Sequence, residues 1–303
     1  MYYTDTMKNT KRKKAYLKYI LALLLFGSNG IIASSIFIKS YQIILLRTLL
    51  GSLLLLLIVF KSHAFKNLMK HKKDFLFIFF SGICMGVSWM FQYEAYQRIG
   101  ISITSLLYCL GPILVVIFAQ IIFQENITLK KILCLAAVTV GAILTGGFSL
   151  QQGANITGIL CALMCAFAYV GMILFNKKST AVTGLSNSAI QLTSGFLTAL
   201  IYNLIRWMSG NAPAMTIHHH EWIPILILGL INTGVGCYLY FSSISEIPAQ
   251  TVAVCDYIEP LSAVLLAAII LHESMTLPQI GGAILIIGGT MLWNLPFQKD
   301  INN

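Results

Sequence analysis

The stretch Ala253-Val254-Cys255-Asp256-Tyr257-Ile258-Glu259-Pro260-Leu261-Ser262 decides how the rest of the chain is interpreted. It places two carboxylates and a proline inside an apolar segment that runs from about Ile247 to Leu271. About 20 helical residues cross the hydrocarbon core of a bilayer, so this segment is long enough to span it. Ionisable groups at such a depth are costly and usually face a bundle interior or a cavity. The stretch therefore predicts a membrane protein with a polar site close to Asp256.

Composition supports a membrane protein along the whole chain. The 303 residues are 57% hydrophobic and 10% charged, whereas ordinary soluble domains carry about 25% charged residues. We predict an all-α polytopic membrane protein with ten transmembrane helices. The predicted spans are approximately 16–38, 41–60, 75–93, 99–123, 129–147, 155–175, 187–207, 222–243, 247–271 and 277–295.

The net charge of +10 is explained by membrane topology, and we predict a lipid bilayer and no nucleic acid as partner. Five positive residues fall within Lys61–Lys73, and six more lie in the N-terminal tail: Lys8, Lys11, Arg12, Lys13, Lys14 and Lys18. Positive clusters beside apolar segments mark the cytoplasmic side. The sequence thus predicts cytoplasmic tails at 1–15 and 297–303, both termini inside, and location in the cell (inner) membrane.

An internal repeat appears when the chain is shifted by 148 residues. This register aligns Gly86 with Gly234, Pro112 with Pro260, Glu125 with Glu273, Thr128 with Thr276 and Gly141 with Gly289. The two repeats, 16–147 and 154–296, would each hold five helices. Because five is odd, the copies would lie in opposite orientations in the membrane. Inverted repeats of this kind are typical of secondary transporters, whose substrate sites lie near the bilayer midplane.

The ends of two helices carry a family resemblance. They read Gly111-Pro112…Glu125-Asn126-Ile127-Thr128-Leu129 and Glu259-Pro260…His272-Glu273-Ser274-Met275-Thr276-Leu277. With the glycine-bearing helices that follow, they resemble the ten-helix EamA-type transporters of the drug/metabolite transporter superfamily. Arg47 also resembles an arginine common in that family's second helix. The chain departs from the pattern in having Phe26-Gly27 where Trp-Gly is frequent, and in the acidic Asp256. The resemblance implies a carrier, often an exporter, of amino acids, other metabolites or drugs.

Asp256 and Glu259 are the strongest site candidates. They are three residues apart and share one helix face, while their repeat partners, Tyr108 and Gly111, are not acidic. The repeated fold does not require carboxylates here, so we hypothesise that they bind a cationic or amine-bearing group, exchange protons, or both. The alternative is a structural role, in which they are hydrogen-bonded or paired with Arg47.

The other candidates are prolines, aromatic residues and amides. Pro112 and Pro260 each free the backbone carbonyl four residues earlier, which either lines a site or only kinks the helix. Aromatic and amide side chains either line a substrate cavity or anchor and join helices. These candidates are Trp89, Gln92, Tyr93, Tyr108, Tyr238, Asn29 and Asn232. Glu125 and Glu273, with Thr128 and Thr276, are more typical of a tight helix-turn-helix joint than of transport chemistry.

Enzymatic chemistry has little support in the sequence. The seven cysteines lie in apolar segments without zinc spacing, and His218-His219-His220 cannot easily converge on one ion. No phosphate-binding Gly-x-x-x-x-Gly-Lys-[Ser/Thr] loop is present. We therefore expect no metal, no cofactor and no enzyme, but a secondary transporter of a small organic solute working by alternating access. The alternatives are a lipid flippase on the same scaffold and, less favoured, a membrane-embedded enzyme.

Overall fold

The computed structural model describes residues 2–62, 71–146, 155–210, 215–270 and 276–294, which form helices joined by short connections. Thirteen α-helices are present in this part of the chain: α1 Tyr2–Gly27, α2 Asn29–Ala33, α3 Ser40–Lys61, α4 Lys72–Tyr108, α5 Leu110–Phe123, α6 Leu129–Gly146, α7 Ile156–Lys178, α8 Gly184–Met208, α9 Trp222–Leu226, α10 Gly236–Ser243, α11 Ala249–Cys255, α12 Ile258–Ile270 and α13 Leu277–Asn294. A π-helical segment, Ile227–Val235, joins α9 to α10.

Within the described residues, seven helical segments are long and apolar enough to cross a membrane: Lys11–Ala33, Ser40–Lys61, Lys72–Ile99, Ile156–Lys178, Gly184–Met208, His219–Glu246 and Ala249–Ile270. Two shorter apolar helices, Leu110–Phe123 and Leu277–Trp293, accompany them. The predicted all-α membrane architecture is confirmed by these segments, while the count of ten crossings stays a prediction.

The long helix α4 turns back on itself. Ser81 and Ser88 donate hydrogen bonds to the carbonyls of Met172 and Cys165 on α7, at 2.6 and 3.0 Å. Ile99 then packs at Gly158, near the start of α7. The ring of Tyr108, however, lies 5.4 Å from the ring of Tyr169, deep inside α7 again. The chain therefore reverses between Ile99 and Tyr108, as the separate predicted spans 75–93 and 99–123 require.

Three predicted helices differ from their expected form. The first, predicted at 16–38, begins at Tyr2, breaks at Ser28 and ends as α2 at Ala33. The eighth, 222–243, contains the π-helical segment, in which Thr233 Oγ1 donates to the Leu228 carbonyl at 2.8 Å. The ninth, 247–271, is divided into α11 and α12 by a break at residues 256–257. The interruptions bring polar groups into the membrane region, where broken helices occur only around cavities or buried contacts.

The repeat register of the sequence reappears in the packing of α6 against α13. A Cβ atom at Gly141 would lie 2.7 Å from the Gly282 carbonyl oxygen. A Cβ atom at Gly289 would lie 3.2 Å from the Cys134 carbonyl oxygen. The shift of 148 residues converts the first pair into the second, because it relates Gly141 to Gly289 and Cys134 to Gly282. Equivalent contacts in both directions are what a two-fold axis between two repeats produces.

The two ends of the helix bundle differ in charge. One end, called here the lysine-rich end, holds Lys130, Lys131, Lys177 and Lys178. Lys131 and Lys177 both reach residues 244–250 there, with donor–acceptor distances of 2.7 to 3.5 Å. The opposite end contains a cluster in which Glu94 accepts hydrogen bonds from Tyr202 and Arg206. The central cavity described next lies between these two ends.

Candidate functional site

A cavity of about 520 Å³ lies at the centre of the bundle. It is lined by residues of both sequence repeats, with mainly aromatic and apolar walls and a few charged groups. Cavities that bind small molecules commonly have about this volume and composition. Ten of the side chains predicted for the site line it: Asn29, Arg47, Trp89, Gln92, Tyr93, Tyr108, Pro112, Asp256, Glu259 and Pro260.

Asp256 lies at the break between α11 and α12, and its carboxylate is held by three tyrosine hydroxyls. Tyr19 of α1, Tyr169 of α7 and Tyr240 of α10 each donate a hydrogen bond to it, the last at 3.0 Å. All three tyrosines are buried. A carboxylate that accepts several hydroxyl donors is well solvated by the protein even at this depth. Asp256 thus ties four helices together at the floor of the cavity.

Glu259 has different surroundings, although it lies on the same face. Its carboxylate lines the cavity but forms no hydrogen bond or ion pair with another residue in the part of the chain that the structure describes. Its backbone N–H donates to the Asp256 carbonyl at 3.1 Å. The carbonyl that Pro260 frees from its usual partner is therefore satisfied within the chain. The side chain of Glu259 remains available to a molecule in the cavity.

Arg47 of α3 supplies a positive charge to the same cavity. Its guanidinium carbon lies 4.2 Å from the centroid of the Trp89 ring, a distance typical of a cation–π contact. Its Nε is buried, and within the described residues it has no hydrogen-bond partner. The described ion pairs do not join Arg47 to Asp256 or Glu259. Trp89 therefore orients the Arg47 guanidinium where it lines the cavity.

The two proline-bearing helices break at equivalent positions and meet there. A turn interrupts the helix at Cys109 in the first repeat and at residues 256–257 in the second. The hydroxyl of Tyr257 donates to the Cys109 carbonyl at 2.9 Å, and these two residues are separated by 148 positions, the repeat shift itself. The Tyr257 hydroxyl also lies 3.1 Å from Thr139 Oγ1. The breaks form the contact between the repeats at the cavity.

Four side chains of α4 line the part of the cavity nearest the opposite end: Trp89, Gln92, Tyr93 and Tyr96. Gln92 donates to the Tyr96 hydroxyl at 2.9 Å, and the Tyr93 hydroxyl accepts from the backbone N–H of Ser40 at 3.2 Å. Tyr93 and Tyr96 both line the cavity.

Two predicted site residues lie elsewhere. Tyr238 does not line the cavity, and its ring instead packs 5.3 Å from Lys18 Nζ. Asn232 is 2% exposed and donates to Asn29 Oδ1 at 3.0 Å and to Ser28 Oγ at 2.7 Å. It joins the π-helical segment to the break between α1 and α2, which is the helix-joining role considered above. Glu273, predicted for a helix joint, lies outside the described residues.

The sequence interpretation missed the three tyrosines that hold Asp256. Tyr19, Tyr169 and Tyr240 come from separate helices and follow no common spacing. One signal was available, because a phenol hydroxyl within an apolar helix needs a hydrogen-bond partner when it is buried. Which partner it takes depends on tertiary packing. Among the described residues, no group of three His, Cys, Asp or Glu side chains is placed to hold a metal ion.

Comparisons with known proteins agree with this architecture. The model of the EamA-like transporter family matches residues 13–147 and 156–295, one match for each repeat. "Uncharacterized transporter YxxF" of Bacillus subtilis is 23% identical over 98% of this chain and 94% of its own length. Riboflavin transporter ImpX of Fusobacterium nucleatum is 24% identical over 90% of this chain and 95% of its own length.

A solved crystal structure shares the fold, with a TM-score of 0.77 and 17% identity over 92% of this chain and 97% of that one. The family match covers both repeats and nearly all of the chain. The chain belongs to the EamA-like transporter family.

Proposed function

We propose that this protein is a secondary carrier for a small organic solute that bears both a positive and a negative group. The single observation that carries the proposal is the pairing of charges in the cavity. Arg47 and Glu259 both line it, and neither forms an ion pair within the described chain. Charged groups in a low-dielectric site are costly without partners. A zwitterionic solute would satisfy both, with its anionic group at Arg47 and its amine at Glu259.

Alternating access of two inverted five-helix repeats is the proposed mechanism. The broken helices α4/α5 and α11/α12 meet at the cavity through Tyr257 and Cys109, and breaks of this kind surround midplane sites in transporters. Glu259 is the group proposed to take up and release a coupling proton, because the Asp256 carboxylate already accepts hydrogen bonds from three tyrosine hydroxyls. The proposed location is the cytoplasmic membrane, with ten crossings, both termini inside and export as the direction.

A lipid substrate is matched less well by the cavity. An anionic headgroup would require several basic side chains. Among the described lining residues Arg47 is the basic side chain, and the carboxylates of Asp256 and Glu259 lie in the same cavity. The aromatic walls fit the ring of an organic solute, and riboflavin belongs in the test panel because one relative carries that name.

Counterflow in proteoliposomes tests the charge assignment. Amino acids would be compared with their methyl esters, which keep the amine, and with their N-acetyl forms, which keep the carboxylate. Removing one partner of a buried charge pair costs 2 kcal/mol or more, about 30-fold in affinity. Glu259→Gln should therefore raise the KM of the zwitterion at least about 30-fold and affect N-acetyl forms far less. Arg47→Gln should also raise the KM of the zwitterion, but it should change the KM of the methyl esters far less, because these lack the carboxylate.

The control is Arg98→Gln, which removes an exposed arginine whose ion pair with Glu94 lies outside the cavity. This variant should transport with the KM of the unmodified protein. Equal losses for all three forms of the solute in both cavity variants would contradict the charge assignment.

A further inference from the structure

Glu125, at the end of α5, reaches across to the second repeat. Its carboxylate accepts hydrogen bonds from the backbone N–H groups of Ala249 and Gln250, at 2.8 and 3.0 Å. The Gln250 side chain returns a hydrogen bond to the Glu125 carbonyl at 2.8 Å. These three contacts join the α5–α6 connection to the first residues of α11. They go beyond a local helix joint, because the partners are 124 and 125 residues apart in sequence.

Two lysines strengthen the same junction. Lys131 Nζ donates to Gln250 Oε1 at 3.0 Å and to the Asn126 carbonyl at 2.6 Å. Lys177 Nζ donates to the carbonyls of Ile244 and Ile247, at 3.0 and 2.7 Å. In the corner between α10 and α11, the Glu125 carboxylate therefore accepts from backbone N–H groups, and the Lys177 ammonium donates to backbone carbonyls. Charge-assisted hydrogen bonds of both signs are among the stronger ones in proteins.

The junction lies beyond one end of the cavity. The described residues that line the cavity include none from 124–131 or 244–250, although Asp256 is only six residues beyond Gln250. At the other end the lining extends to Ser40 and Tyr96. α4 starts at the lysine-rich end, where Asp74 accepts a hydrogen bond from the Ala181 N–H. Tyr96 lies 22 residues further along the chain, so the cavity extends away from the lysine-rich end.

We propose that the hydrogen bonds from α11 to Glu125 are the gate that closes the substrate cavity at the lysine-rich end, and that their release opens it there. The inference rests on the proposed alternating-access cycle. In that cycle the two repeats must separate at one end while they close at the other. The Glu125 contacts join the repeats at the closed end, and they are hydrogen bonds that can break and re-form without repacking the apolar core.

Site-directed labelling of Cys109 tests the gate, because this native cysteine lines the cavity. A membrane-impermeant maleimide is applied to right-side-out and inside-out vesicles, and modification of Cys109 is measured by mass spectrometry. The unmodified protein should label rapidly from the end that holds Tyr96 and slowly from the lysine-rich end. Glu125→Gln keeps the shape but loses the charge. One lost charge-assisted hydrogen bond shifts a two-state equilibrium at least about tenfold, so labelling from the lysine-rich end should rise by about that factor.

The matched control is Glu246→Gln, which removes an exposed carboxylate at the same end of the molecule. In this variant, Cys109 should be labelled from each side at the rate seen in the unmodified protein. Glu125→Asp keeps the charge on a shorter side chain and should fall between the unmodified protein and Glu125→Gln. The labelling is judged without any transported solute, so it stands apart from the counterflow assay of the proposed function. The gate would be overturned if Cys109 in Glu125→Gln and Glu125→Asp were labelled from the lysine-rich end at the same rate as in the unmodified protein and in Glu246→Gln.

Discussion

At the scale of single residues, two carboxylates three positions apart have different surroundings. Asp256 accepts hydrogen bonds from three tyrosine hydroxyls, whereas Glu259 faces the cavity without a partner among the described residues. Their helical spacing predicts that they share a face, and they do line one cavity. Spacing alone cannot distinguish a hydrogen-bonded carboxylate from one without a partner, because the difference lies in which groups the rest of the fold brings to each one.

Substituting the two acids should reveal this difference. Asp256→Asn removes the charge that three hydroxyls share, and hydrogen bonds to charged groups contribute about 1.5–3 kcal/mol each. We expect a loss of stability of about 3 kcal/mol, measured as a lower thermal unfolding midpoint in detergent. Glu259→Gln should leave the midpoint unchanged or slightly higher, because it removes an unpaired charge. A larger destabilisation for Glu259→Gln than for Asp256→Asn would refute the division of roles.

At the scale of helices, close packing at glycine fixes where the broken segments lie. A Cβ atom at Gly27 would come within 1.8 Å of Ser262 Oγ and 2.9 Å of the Ala263 backbone nitrogen. Such distances are far inside van der Waals contact, so α1 could not stay against α12 with any larger residue. Gly30, three residues further on, has no neighbouring atom within 4 Å of the Cβ position. The family resemblance marked the pair Phe26-Gly27 in sequence, and the structure supplies the reason for the glycine.

Gly27→Ala should therefore disrupt the junction of α1 with α12. Overpacking commonly lowers the free energy of unfolding by 1–3 kcal/mol and sometimes by more. Because the added Cβ would clash with backbone, we expect a loss of about 3 kcal/mol for Gly27→Ala. The readout is the yield and unfolding midpoint of the purified protein. Gly30→Ala serves as the matched control and should unfold at the midpoint of the unmodified protein. Equal midpoints for the two variants would show that α1 can shift freely against α12.

At the scale of the whole molecule, the distribution of lysines gives the bundle two unlike ends. The lysine-rich end carries the Glu125 junction, and the opposite end carries the cluster of Glu94, Tyr202 and Arg206. Positive residues beside membrane spans are retained on the cytoplasmic side. The proposed orientation therefore places the Glu125 junction in the cytoplasm and the end of the cavity that holds Tyr96 outside.

Cysteine labelling in intact cells checks that orientation. Lys14→Cys lies in the basic N-terminal part of α1, and His219→Cys lies in the turn before α9 at the other end. A membrane-impermeant maleimide should modify His219→Cys in intact cells, but modify Lys14→Cys only after the membrane is permeabilised. Modification in the reverse order would place the lysine-rich end outside.

The sequence by itself determined the class of protein, the repeat register and the two helix breaks that precede Pro112 and Pro260. These are set by local properties: apolar length, the spacing of Pro, Gly and Glu along the chain, and the missing N–H of Pro112 and Pro260. The shift of 148 residues is preserved in the contact of Cys109 with Tyr257.

Only the tertiary structure decided which group each polar side chain meets. Asp256 bonds to Tyr19 and Tyr169 across 237 and 87 residues, and Glu125 bonds to α11 across 124. In the apolar interior a polar group takes whichever donor or acceptor the helix packing brings within about 3 Å. That choice depends on the relative positions of several helices, which the order of residues along any one helix does not contain.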